Sequence, residues 1–137
     1  METKYVFELP MQVRDYECDV EGIVNNANYL HYLEHTRHQF LLREGISFIN
    51  LHRQGGDVVV ARINIAYKTP LQSDNEFVSC LNVSKEGPKY VFQQDIYRLP
   101  DRKVVVKAKV EAVCIVNGRL GDYPELVKVF GRYLNKE

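Results

Sequence analysis

The chain has 137 residues, 45% of them hydrophobic, and sets 18 Lys and Arg against 18 Asp and Glu. That length is one domain's worth, and the balanced charge gives nucleic acid or an anionic membrane nothing to grip, so the expected partners are a small molecule or another subunit. No apolar run approaches the roughly 20 residues of a membrane span, and Met1 to Tyr5 leads into strand-like sequence without a signal-peptide core, so a cytoplasmic location is expected.

Residues 4 to 13 predict a first strand. A loop carrying Asp19 and Gly22 follows and runs directly into a helix predicted over Asn28 to Glu44. Asn26 or Asn28 is its expected cap, Gly45 its stop, and Leu30, Leu33, Phe40 and Leu41 form its apolar stripe. Ser47 can cap a shorter helical turn through Arg53, which Gly55 and Gly56 break. The period then changes to two. Val59, Ala61, Ile63, Ile65 and Tyr67 alternate with Val60, Arg62, Asn64 and Lys68, describing a strand with one buried and one wetter face that ends at Thr69 and Pro70.

Further strands are predicted over residues 76–85, 90–98 and 104–116, with turns at Glu86-Gly87-Pro88 and Pro100-Asp101 and an end at Asn117-Gly118. Short turns between successive strands imply an antiparallel meander. Pro124 suits the first position of a C-terminal helix with a stripe at Leu126, Phe130, Tyr133 and Leu134. Pattern alone therefore gives the α+β class, an antiparallel sheet with one principal helix, in a single domain over residues 1–137.

The loop before the principal helix is where chemistry is expected. A helix start presents unpaired N–H groups that can polarise a carbonyl, while a nearby carboxylate attacks it or activates water; Asp19 is so placed. By itself Asp19 also reads as a turn residue, and Gly22 as a turn glycine. On a helical wheel Arg37 falls in the middle of the apolar stripe and Glu34 at its border, three residues apart, so they read as a structural ion pair fixing the helix and the loop before it. His31, His35 and His38 share the opposite side but lack an H-E-x-x-H pattern, and read as a solvated or subunit-facing surface rather than a metal site. Cys18, Cys80 and Cys114 are widely spaced and read as reduced, packed thiols. Arg98, Arg102, Lys103, Lys107 and Lys109 read as solvated strand faces, some able to meet ligand phosphates.

Val13-Arg14, Asp19, Gly22, Val24, Asn28-Tyr29-Leu30, Glu34 and Arg37 together resemble the signature of the hotdog-fold acyl-CoA thioesterases, in the 4-hydroxybenzoyl-CoA thioesterase-like branch. Within it, Val24-Asn25-Asn26-Ala27 followed by Tyr29-Leu30 is most similar to the bacterial long-chain acyl-CoA thioesterases. Val58-Val59-Val60, the run from Ile63 to Pro70, and Ser73-Asp74 resemble a second landmark of the family.

The resemblance implies a hotdog fold, with a long antiparallel five-stranded sheet wrapped around one central helix. It implies hydrolysis of an acyl-CoA, expected to be fatty acyl, to free acid and CoA without metal or organic cofactor. Asp19 would act as nucleophile, through a mixed anhydride, or as general base for water. The backbone N–H of Asn26 would donate to the developing oxyanion, although many relatives carry His or Tyr there. Gly22, Ile23, Val24 and Tyr29 would contact substrate. A homodimer or homotetramer with sites shared between subunits is implied as well. Two alternatives stand beside this reading: hydrolysis of acyl groups from acyl carrier protein, and a regulatory acyl-CoA-binding module without turnover.

Overall fold

The computed structural model describes residues 5–134, so residue 4 of the first predicted strand lies outside the described residues. Strand β1 spans Phe7–Gln12, and a single 3-10 turn follows at Asp15–Glu17. Helix α1 spans Asn26–Arg43 and a short helix, α2, Phe48–Arg53. Then come β2 (Gly56–Tyr67), β3 (Glu76–Glu86), β4 (Lys89–Arg98), β5 (Val104–Val116), β6 (Arg119–Gly121) and helix α3 (Pro124–Leu134). The fold is α+β: a curled antiparallel sheet, in the order β1-β3-β4-β5-β2, wraps around α1. Among the described residues no helix is long and apolar enough to cross a membrane.

The meander expected from short turns holds for β3, β4 and β5. It fails for β2, which pairs with β5 on the far side of the sheet instead of with β3, while β1 takes the place beside β3. The segment from Lys68 to Asn75 makes that crossing. The five expected strands are joined by a sixth, short one: Asn117 and Gly118 both adopt positive φ (51° and 81°), the conformation of a tight hairpin turn, and send β6 back along β5.

Helix α1 begins two residues earlier than predicted. Its cap is Asn25, whose Oδ1 accepts the Ala27 N–H at 2.9 Å; Asn26 and Asn28 lie inside the helix. Gly45, at φ 90°, ends it, with its N–H on the Leu42 carbonyl and the Ile46 N–H on the Leu41 carbonyl. The predicted capping of α2 by Ser47 is present.

The face that α1 lays on the sheet is Tyr29, Tyr32, Leu33, Thr36, Arg37, Phe40 and Leu41. Leu33 and Tyr32 meet Phe77 and Ile96 in one apolar cluster, whereas Phe40 and Leu41 meet Tyr90, Phe92 and Phe130 of α3 in another. A polar seam crosses the helix between them. The Thr36 hydroxyl hydrogen-bonds the Ser79 hydroxyl at 2.7 Å, and Gln94, fully buried, donates Nε2 to the Leu33 carbonyl at 3.0 Å. Arg37 donates Nη1 to Gln94 Oε1 at 3.1 Å, with its guanidinium near the face of Phe92.

This revises the expected ion pair. Arg37 is buried as the helical wheel requires, but Glu34 is exposed, and no ion pair between them occurs among the described residues. Burial pushes the Arg37 pKa down, and the field of Glu34 opposes that shift. The direct partner is the Gln94 amide, which supplies a carbonyl without the desolvation cost of a second buried charge.

Strand β2 also departs from its predicted pattern. Ala61 is bulged out of the register between Val60 and Arg62, so the face of Ile63, Ile65 and Tyr67, which lie opposite Val110, Ala108 and Val106, continues to Val60 rather than Val59. Neither face is buried along its middle: Val59, Val60, Ile63 and Tyr67 are 47, 40, 37 and 45% exposed. The strand forms one open edge of the sheet.

Replacing Arg37 by Ala strips a buried amide oxygen of its donor, so Arg37→Ala is expected to lower the unfolding free energy by about 3 kcal/mol. Glu34→Ala should leave the urea midpoint nearly unchanged. Equal shifts for the two variants in urea denaturation would assign the stabilisation to the exposed carboxylate instead.

Candidate active site

The loop between β1 and α1 is closed by its own backbone. Asp19 N–H donates to the Ile23 carbonyl at 2.9 Å and Gly22 N–H to the Asp19 carbonyl at 3.0 Å, a turn that places Gly22 at φ 81°, where a side chain would be strained. Asp19 Oδ1 accepts the Glu21 N–H at 2.9 Å, which fixes the carboxylate over the turn. Its Oδ2 has no partner among the described residues. Beyond the turn, Val24 N–H donates to the Leu71 carbonyl at 2.8 Å and Ile23 bridges to Gln72, so the loop is stitched to the chain that leaves β2.

Glu17, two residues before Asp19, ties the loop to the helix. Its side chain is buried. Oε1 accepts the Arg14 N–H and the Tyr32 hydroxyl, both at 2.8 Å, and Oε2 accepts Arg14 Nη1 at 3.1 Å. Its backbone carbonyl accepts the N–H of Asn25 at 3.0 Å and Asn28 Nδ2 at 2.8 Å. Burial, with the Glu17 bond second, pushes the Tyr32 pKa up, so the phenol stays a donor. Nothing in the sequence pattern singled out Glu17, because its partners lie across a turn and on a separate helix.

A cavity of about 260 Å³ opens where α1 starts. Ile23, Val24, Asn26 and Tyr29 form one side of it, and Tyr67, Lys68, Thr69 and Pro70, at the end of β2, form the other. As the first residue of α1, Asn26 has an N–H without an intrahelical acceptor, one of the groups that form the positive end of the helix dipole. Tyr29 is buried, and its hydroxyl accepts the Leu71 N–H at 2.9 Å. The structure thus brings together four of the sequence-predicted residues, Ile23, Val24, Asn26 and Tyr29, while Asp19 and Gly22 stand on the adjoining turn outside the cavity lining. The wall from Tyr67 to Pro70 was not assigned to a site from sequence, although it lies within the second landmark.

Other expected features sort out around the cavity. Burial, followed by the charges of Asp15, Asp19 and Glu17, pushes the Cys18 thiol up, which disfavours the thiolate a nucleophile needs. Cys80 and Cys114 are buried and all three cysteines are free. His31 and His35 are exposed, whereas His38 packs edge-on against Phe48 with burial lowering its pKa. Of the basic groups, Arg98 pairs with Asp101 at 2.6 Å, Lys107 with Asp95 at 3.6 Å and Lys109 with Glu86 at 3.2 Å, and Arg102 lies over the Tyr97 ring.

Comparison with known proteins gives the family. Residues 13–131 match the family model of the thioesterase-like superfamily. The chloroplastic acyl-acyl carrier protein thioesterase ATL2 of Arabidopsis thaliana is 36% identical over 111 residues, covering 80% of this chain and 59% of that protein, so the chain spans about three-fifths of that relative's length. The long-chain acyl-CoA thioesterase FadM of Escherichia coli is 34% identical over 106 residues, 77% of this chain and 80% of that protein. A crystal structure of a hypothetical protein from Aquifex aeolicus superposes with a TM-score of 0.82 at 28% identity, covering 90% of this chain and 98% of that one. With the hotdog architecture, the helix-start cavity and a family match from the end of β1 to α3, the chain belongs to the thioesterase-like superfamily.

Proposed function

We propose that this protein is a thioester hydrolase that cleaves an acyl-CoA, with a fatty acyl group, to the free acid and CoA. The observation that carries the reading is the apolar cavity at the start of α1, with the Asn26 N–H at its rim and the Asp19 turn beside it. The Asn26 amide would take up the charge that develops on the thioester oxygen, a contribution worth about 3 kcal/mol of barrier in comparable donors. Asp19 would either attack the carbonyl carbon, releasing CoA as thiol and leaving a mixed anhydride for water to open, or take a proton from the water that attacks. Ile23, Val24 and Tyr29 would hold the acyl chain, and Gly22 would let the turn close at a positive φ that other residues rarely adopt. Lys68, the one cation lining the cavity and without an ionic partner among the described residues, is suited to an anionic group of the carrier.

Hydrolysis from an acyl carrier protein is the second reading, favoured by the 36% identity to a plant enzyme so named. Comparing kcat/KM for the same acyl group on CoA and on carrier protein decides between them.

We further propose that the site is shared between two subunits joined along β2. An edge of 12 residues that exposes Val59, Val60, Ile63 and Tyr67 offers unpaired backbone groups and apolar surface to an identical strand, the arrangement that closes a two-fold dimer. The position of Asp19 outside the cavity lining is what a site completed by a neighbour would look like.

Asp19→Asn should lower the hydrolysis rate at least ~100-fold while acyl-CoA binding and the melting temperature persist. Near-normal thiol release by the folded variant would remove Asp19 from the mechanism. The double variant Val60→Lys, Ile63→Lys should sediment as a monomer and lose activity at least ~10-fold, since like charges would face each other across the two-fold axis. A fully active monomer would confine each site to one chain.

A further inference from the structure

The two aromatic rings in the cavity are held very differently. Tyr29 is 3% exposed and its hydroxyl is pinned by the Leu71 amide. Tyr67 leans on it, with ring centroids 5.7 Å apart and planes tilted by 58°, yet it is 45% exposed and its hydroxyl has no partner among the described residues. Tyr67 is the last residue of β2 and lies on the inner face opposite Val106. On that same face, one side-chain step of about 7 Å further along the strand, stands Ile65 opposite Ala108, and beyond it Ile63 opposite Val110. Ile65 packs against the apolar cluster around Leu33 and Phe77, whereas Ile63 is partly exposed. Apolar side chains therefore continue along this face of β2 beyond the cavity lining, a gutter of Ile65 and Ile63 beside which the Tyr67 ring stands.

We propose that Tyr67 sets the length of acyl chain that the site accepts, acting as the wall between the cavity at the helix start and the gutter over Ile65 and Ile63. The inference rests on the thioesterase reading and adds to it a specificity-determining residue. A straight acyl chain entering past Asn26 gains apolar contact with Ile23, Val24 and Tyr29 and then meets the Tyr67 ring. Each methylene that finds such contact raises kcat/KM about fourfold, and the gain ends where the wall stands. Among the described residues no group holds the ring by its hydroxyl, so side-chain size at position 67 fixes the wall and its polarity does not.

The test is kcat/KM against straight-chain acyl-CoA esters from butyryl to palmitoyl, read by thiol release, for the wild type, Tyr67→Val and Tyr67→Trp. Valine suits a strand position and opens the gutter, so the optimum should move to chains longer by at least two carbons, with KM for the longest esters falling about tenfold or more. Tryptophan should move the optimum to shorter chains. An optimum that stays where the wild type has it in either folded, active variant overturns the proposal, so a folding defect in one still leaves the other to decide. Absence of thiol release by the wild type with every ester would instead overturn the thioesterase reading and the proposal with it, whereas activity with an unmoved optimum overturns the length gate alone.

Discussion

Burial of the Glu17 carboxylate is the constraint on which the site depends. A carboxylate taken out of water is tolerated only when donors replace its hydration, and here three do so: the Arg14 amide, the Arg14 guanidinium and the Tyr32 hydroxyl. The first two come from the end of the strand side of the loop and the third from the second turn of α1. Because the same residue's carbonyl receives the Asn25 amide and the Asn28 side chain, it fixes both the cap of the helix and the root of the Asp19 turn. In the proposed mechanism the helix start would polarise a carbonyl only if held still relative to the Asp19 turn. Glu17 supplies that rigidity while remaining two residues from the turn itself.

The sheet imposes the other half of the geometry. By crossing from the β2 edge of the sheet to β3, beside the opposite edge, the segment after β2 carries Leu71 under the loop, where its carbonyl holds Val24 and its amide holds the Tyr29 hydroxyl. The cavity thus has walls from two distant stretches of chain locked together by backbone groups, which vary little with side-chain identity. The polar seam of Thr36, Ser79, Arg37 and Gln94 works similarly lower on the helix, since directional bonds between two apolar clusters set the rotation of α1 that pure packing would leave loose.

Much of this was legible in the sequence wherever a signal is local. Turn signals bound β3 and β4, and alternation marks β5, nearly to their ends, Gly45 and Ser47 mark helix boundaries through their backbone and capping chemistry, and the motif around Asp19 points to the loop and helix start. What escaped were matters settled by distant neighbours. Three asparagines at 25, 26 and 28 offer equivalent capping chemistry, and only the turn geometry before them selects Asn25. Arg37 was read as needing a charged partner three residues away, because Gln94 lies on a strand whose placement no periodicity reveals. The alternation through β2 runs unbroken across Ala61 in the sequence, since a bulge moves the facing of every residue on one side without altering composition. The role of the Tyr67 to Pro70 wall required knowing which loop lies across from it.

The pairing of β2 with β5 also has a bearing on how the chain acquires its shape during synthesis. Val58 pairs with Cys114 and Ile63 with Val110, so β2 leaves the ribosome about fifty residues before its partner exists. At ordinary rates of elongation of roughly 5–20 residues per second, that is a delay of seconds. Through it a long apolar segment must remain unpaired or be sheltered, and such non-local pairing also slows folding once the chain is complete. The nascent protein is therefore most vulnerable to misassociation while β3 and β4 already form a hairpin and β5 is still being made. Synonymous changes or growth conditions that slow translation between residues 76 and 104 would lengthen that exposure, making yield of soluble protein sensitive to a stretch of sequence that supplies none of the residues lining the cavity.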